Sequence, residues 1–232
     1  MKKGKMYIVG TPIGNLGDIT YRAVEILKKA AFVLAEDTRE SKKLLNKYHI
    51  KTQLISYRDQ NHDKMIGKVK EKLDMGLDLA LVSDSGTPLI SDPGFKLVRE
   101  LREEGYIVES IPGPSALISA LSISSLPTNR FVFLGFLPKS KKKRKEILDR
   151  YFLLEDTVIM YESPNRVLGL LSLIRECTFE NTVVLAKDLT KMREKVLIGD
   201  ANELLSLLKD REFEQHPHGE FVVLVSPTLK KE

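Results

Sequence analysis

Short apolar runs rich in β-branched residues alternate with segments of helical spacing along most of this chain. Met6–Gly10 is apolar and stops at a glycine, and Val24, Leu27 and Ala31 then share one face within Tyr21–Ala31. Phe32–Ala35, Leu54–Tyr57, Leu79–Val82 and Tyr106–Ile111 read as further strands. Between them Ser41–Tyr48, the stretch carrying Met65, Ile66, Val69 and Leu73, and Phe95–Glu104 read as helices. This βαβα order predicts an α/β fold with a doubly wound, mostly parallel sheet, since parallel neighbours need a crossover and a helix supplies it.

The pattern restarts after Ile111-Pro-Gly-Pro-Ser115. A small-residue helix, Ala116–Ile123, is followed by the break Ser124-Ser-Leu-Pro-Thr-Asn129. Two domains are expected, 1–113 and 114–232. In the second, Phe131–Leu137, Thr157–Tyr161, Val183–Ala186, Val196–Ile198 and Phe221–Val225 are predicted strands. Two of these follow each other directly near residues 183–198, which suggests a mixed sheet. Ser163 should cap the helix that Pro164 opens, and Asp200 with Glu203 forms a predicted capping box.

Composition narrows the function classes. No apolar run reaches the roughly 18 residues of a membrane span. Met1-Lys-Lys-Gly-Lys5 passes straight into Met6–Gly10, too short for a signal-peptide core. A cytoplasmic protein with no membrane partner is expected. Cys177, the single cysteine, excludes an internal disulfide and a multi-cysteine zinc site, and is expected as a buried thiol. His49, His62, His216 and His218 show no metal-binding spacing, so no metal is expected. The net charge of +5 is focal: Lys139, Lys141, Lys142, Lys143, Arg144 and Lys145 fall in one run without an acidic residue. Such a run is either a solvated helix start or an electrostatic footprint for a phosphate backbone.

Chemistry in doubly wound folds sits beyond the C-terminal ends of strands. Gly10-Thr-Pro-Ile-Gly-Asn-Leu-Gly-Asp18 occupies such a place. Its glycine spacing matches neither the dinucleotide fingerprint nor a phosphate-binding loop, which disfavours a dehydrogenase or nucleotide hydrolase. Ser83-Asp-Ser-Gly-Thr-Pro-Leu-Ile-Ser-Asp-Pro-Gly94 packs carboxylates and hydroxyls too densely for a mere connection. There Asp84 could accept from a ribose hydroxyl or an ammonium group, while Asp92 is expected to cap the following helix. Pro112-Gly-Pro-Ser-Ala116 brings amides to a helix start. Glu36-Asp-Thr-Arg39 also ends a strand, either as a local ion pair or as substrate contacts.

These motifs, with Tyr161-Glu-Ser-Pro-Asn-Arg166 and Leu189-Thr-Lys191, follow one another over nearly the whole chain. In that order the chain resembles the small-subunit ribosomal RNA methyltransferases of the class III, tetrapyrrole-methylase-like family. The resemblance implies two α/β domains with mixed, mostly parallel sheets and S-adenosylmethionine in an interdomain cleft. It also implies a homodimer that methylates the 2′-oxygen of a cytidine in the decoding region of 16S rRNA, free or in the small ribosomal subunit. Gly10, Thr11, Pro12, Gly14, Ser83, Asp84, Ser85, Gly86, Thr87, Ser115, Ala116 and Tyr161 would line the cofactor cleft. The chain departs from the family pattern at His218-Gly-Glu220 and at Met192-Arg193.

On this reading the 2′-hydroxyl loses its proton as attack proceeds, so a positioned base helps. Asp37 and Glu36 are the candidates, with Arg39 and Asn15 orienting the substrate and the basic run contacting RNA. A corrin or other tetrapyrrole methylase, and a non-catalytic RNA-binding protein on the same fold, are the rival readings.

Overall fold

In the first half the apolar runs become β1 (Lys5–Val9), β2 (Val33–Ala35), β3 (Leu54–Ser56), β4 (Leu79–Val82) and β5 (Ile107–Ile111). The helical spacings become α1 (Tyr21–Lys29), α2 (Thr38–Lys47), α3 (His62–Asp74) and α4 (Phe95–Glu103). The computed structural model describes residues 2–176, 180–209 and 216–227. Its backbone contacts divide it into two compact units, Met1–Ser115 and Ala116–Glu232. Cys177 lies outside the described residues. No helix among the described residues is long and apolar enough to cross a membrane.

The first sheet has strand order β3-β2-β4-β1-β5, and every neighbouring pair in it is parallel. Both faces are covered. Leu27 of α1 and Leu44 and Leu45 of α2 pack on Val9, Val33, Ala80 and Val82. Val69 and Leu73 of α3, with Leu97 and Leu101 of α4, pack on Met6, Leu34, Leu79 and Leu81 from the other side. Each such fully buried leucine stabilises the fold by about 1.5–3 kcal/mol. The two helix pairs therefore lie on opposite faces, as continuous apolar strands require.

This order fixes where a ligand can sit. β2 hands its chain to α2 on one face, while its neighbour β4 hands its chain to α4 on the other. Two adjacent strands whose connections leave to opposite faces open a crevice at their C-terminal ends. Here the crevice is bordered by the segments that follow Ala35 and Val82.

The second unit contains α5 (Ala116–Ser122), β6 (Phe131–Phe136), α6 (Lys141–Phe152), β7 (Thr157–Glu162) and α7 (Val167–Arg175). It continues with β8 (Asn181–Lys187), β9 (Lys195–Gly199), α8 (Ala201–Leu208) and β10 (Phe221–Pro227). Its sheet is mixed, in the order β6-β7-β10-β8-β9. Only β6 and β7 run parallel; the other neighbours are antiparallel. The expected mixed sheet is thus found. The core lies where Leu148 and Phe152 of α6, Leu170 and Ile174 of α7, and Leu204 of α8 meet Val158, Met160 and Val223.

Two expected caps behave differently. Asp200 accepts from the amides of Asn202 and Glu203, and Glu203 returns the bond, closing the capping box. Ser163 does not cap: α7 begins at Val167, after a turn in which the carbonyl of Ser163 accepts from the amides of Arg166 and Val167. Pro164 occupies that turn rather than the first helical position.

Candidate active site at the C-terminal edge of the first sheet

The loops after β1, β4 and β5 are stitched together by backbone. The Thr11 amide donates to the Gly86 carbonyl at 2.8 Å, and the Gly86 amide returns a bond to Thr11 at 3.2 Å. The Thr11 hydroxyl is buried and donates to the carbonyls of Ser83 and Gly86. Gly10 and Gly113 touch backbone to backbone, so a Cβ on Gly10 would stand 2.8 Å from the Gly113 Cα. Both positions must be glycine for these loops to meet. Thr11 and Pro12, expected as cofactor contacts, are buried and serve this frame, while Gly14, Asp84 and Ser85 are exposed at its rim. Thr87 donates to the carbonyl of Pro114, tying in the loop that carries Ser115. Ala116 and Tyr161, assigned the same role by resemblance, belong to the second unit.

The segment from Ser83 to Gly94 holds an unusual backbone. Leu89 and Ser91 have φ of 73° and 69°, and Gly86 and Gly94 are also positive. A leucine in the left-handed region costs about 1–3 kcal/mol and persists where its surroundings impose it, a pattern concentrated at functional sites.

This segment corrects one expectation. Asp92 does not cap α4. The helix starts at Phe95 behind Gly94, whose φ is 127° and whose amide donates to Asp59 at 3.1 Å. The turn leaves Asp92 half-buried beside Ser83, Glu36 and Asp84. Burial is the main cause that pushes its carboxyl up to about 6; the two neighbouring carboxylates add to the rise and the Ser83 hydroxyl opposes it.

Across the crevice, Glu36 follows β2. Burial raises its carboxyl above the usual range, Asp84 raises it further, and Arg58 partly offsets this. The backbone amide of Asp37 donates to Asp84 Oδ1 at 2.9 Å, linking the two walls. Asp37 itself is occupied. Its carboxylate caps α2 through the Arg39 amide at 2.8 Å and holds the Arg39 guanidinium at 2.5–3.2 Å. That pairing holds its carboxyl well below the usual range. Within Glu36–Arg39 a local ion pair forms between Asp37 and Arg39. Asn15 uses its side-chain oxygen to accept from Gly17 at 3.0 Å.

The sequence marks Glu36, Asp37 and Asp84 at strand ends, and the fold brings these segments together, whereas Asp92 is expected only as a cap. Only the folded turn aims Asp92 there, and its Asp-Pro-Gly context reads as a cap.

The basic run is divided by the fold. Ser140 caps α6, accepting from Lys143, and the first turn holds Lys141, Lys142 and Lys143 with no acidic residue. Lys139, Lys142 and Lys143 are exposed. Lys141 reaches Glu176 at 3.4 Å and Lys145 pairs with Asp149. Arg144, expected among the RNA contacts, turns inward instead and pairs with the fully buried Glu162 at 3.6 Å. Arg166 approaches the same carboxylate at 3.2 Å. A buried carboxylate needs cations beside it, and α6 places every fourth residue on its inner face.

Residues 5–205 match the family described as tetrapyrrole (corrin/porphyrin) methylases. A ribosomal RNA small subunit methyltransferase I from Rickettsia prowazekii is 42% identical over 98% of this chain and 80% of its own length. The protein of that name from Thermotoga maritima is 42% identical over 96% of this chain and 98% of its own. The chain belongs to the tetrapyrrole methylase family, together with these ribosomal RNA small subunit methyltransferase I proteins. The fold agrees: the uroporphyrin-III-C-methyltransferase of Thermus thermophilus superposes with a TM-score of 0.64 at 20% identity, over 97% of this chain and 94% of that one. The crevice described above lies within the matched residues. Among the described residues no cluster of His, Cys, Asp and Glu side chains is arranged to hold a metal ion.

Proposed function

We propose that this chain methylates the 2′-oxygen of a cytidine ribose in the decoding region of small-subunit ribosomal RNA, with S-adenosylmethionine as donor. The observation that carries this reading is the carboxylate group at the β2–β4 crevice. Glu36, Asp84 and Asp92 lie together, and burial first, then their mutual repulsion, raises the carboxyls of Glu36 and Asp92. A sulfonium donor with an ammonium group and a ribose diol suits such a space in charge and in hydrogen-bond type. When bound, it supplies an activated methyl group.

The residues of the chain then have defined tasks. Glu36 is the base for the 2′-hydroxyl proton, because its raised basicity and half-buried position suit it and Asp37 is committed to Arg39. Asp84 and the exposed Ser85 accept and donate to the donor's polar groups. Gly10, Thr11, Pro12, Gly86, Gly113 and Ser115 hold the floor rigid, which favours an in-line approach. Lys139, Lys142 and Lys143 meet RNA phosphates. Three lysines in the first turn of α6 oppose the helix dipole, and an anion there relieves the conflict. A cytoplasmic homodimer acting on rRNA or on the small subunit fits this role.

The deciding experiment maps ribose methylation in ribosomal RNA from cells with and without the protein, beside a titration with S-adenosylmethionine. One 2′-O-methyl mark that disappears with the protein supports the reading. Methylation of a tetrapyrrole instead, or no donor binding at all, would replace it with one of the two rivals.

A further inference from the structure

We infer that Phe136, braced by Tyr161, is a stacking platform for an unpaired RNA base beside the lysines of α6. β6 is an edge strand, and its register with β7 shifts between Phe133 and Phe136. Gly135 at φ 61° makes the shift possible. The bulge brings Phe136 opposite Tyr161, with ring centroids 5.6 Å apart, and leaves Phe136 56% exposed. Phe133 contacts the same tyrosine at 4.9 Å. Phe136 is thus an exposed aromatic at a sheet edge, braced by a tyrosine that a second ring supports.

The backbone that follows is fastened as well. The Arg166 guanidinium donates to the carbonyls of Leu137 and Pro138 at 2.6 and 3.2 Å, and the buried Glu162 holds Arg166 in place. Phe136 is therefore presented from a rigid turn. Lys139 lies three residues on, a chain span of at most about 11 Å, and Lys142 and Lys143 follow in the capped first turn of α6. An exposed ring next to fixed cations is the combination that binds single-stranded nucleic acid: the cations follow phosphates while the ring takes a base face. A duplex, whose bases are stacked inside, gains nothing from the ring.

The inference rests on the RNA reading above and deepens it. The chain has no tryptophan, so Phe136→Trp provides a single indole reporter at the platform. Titration with a single-stranded ribo-oligonucleotide of the decoding region should quench its emission to saturation, while the same sequence as a duplex should not. Phe136→Leu, which keeps an exposed apolar side chain, should bind the single strand about tenfold more weakly and the duplex like the unaltered protein. Equal single-strand binding by Phe136→Leu, with the unaltered protein binding well, overturns the platform alone. So does an oligomeric state changed by Phe136→Leu in sedimentation, which would assign the ring to a second copy of the chain. If the unaltered protein binds the small ribosomal subunit but not the oligonucleotide, the platform alone fails; if it binds neither, the RNA reading fails and the platform with it.

Discussion

The Asp37 amide donates to the Asp84 carboxylate at 2.9 Å, and this bond ties the end of β2 to the end of β4 across the crevice. It fixes Glu36 next to Asp84 while Asp37 faces Arg39. The division of labour between two adjacent acidic residues follows from it.

Glu36→Gln should lower kcat roughly 10²–10⁴-fold with little change in donor affinity, since it removes a base and keeps the shape. Asp37→Ala should act mainly on stability, lowering the urea midpoint through loss of the α2 cap while turnover stays near normal. Single-turnover methylation and urea unfolding of both variants separate these effects. A Glu36→Gln enzyme of normal turnover would remove the base assignment.

Asp92 gives a pH signature. Its carboxyl is raised in the folded protein from 3.8 to about 6. A raised carboxyl binds its proton more tightly when folded, so its stabilising contribution is complete below pH 4 and lost as pH rises through 6. Asp92→Asn should therefore stabilise the fold at pH 7–8, on the order of 2 kcal/mol after discounting for its partial exposure. The gain should vanish near pH 4. Unfolding free energies across that range would show it, and a pH-independent difference would contradict it.

Glycines divide by their surroundings. Gly10→Ala places a Cβ 2.8 Å from Gly113 and should destabilise by about 1–3 kcal/mol through overpacking. Gly67 in α3 and Gly169 in α7 have open space around an added Cβ. Alanine at either should stabilise by about 0.5–1 kcal/mol. Thermal melts of the three variants test the contrast.

The basic run predicts two distinct phenotypes. Neutralising Lys139, Lys142 and Lys143 should flatten the slope of log affinity against log salt for single-stranded RNA by about 2, and leave the melting temperature nearly unchanged. Arg144→Ala should leave the salt slope alone and cost about 2 kcal/mol or more, because it strips one of the two cations from the buried Glu162. Salt titrations and melts of both proteins would expose a reversed pattern.

The sequence by itself determined much of this protein. Local hydrophobic period and turn chemistry depend on neighbours a few residues away, and they were enough for the strand order, for every α-helix but α6, for the capping box at Asp200 and for the mixed second sheet. They also marked Gly10, Glu36, Ser83 and Pro112 as strand-end loops. What the chain order could not contain is which strands lie side by side. The insertion of β4 between β2 and β1 brings Asp84 to Glu36, some fifty residues away in sequence. Likewise only the positive φ at Gly94 turns Asp92 from a helix cap into a crevice carboxylate. Only the buried Glu162 draws Arg144 out of a run in which every residue looks alike. Each decision is a long-range contact whose energy comes from burial and charge pairing, and neither exists until the sheets have formed.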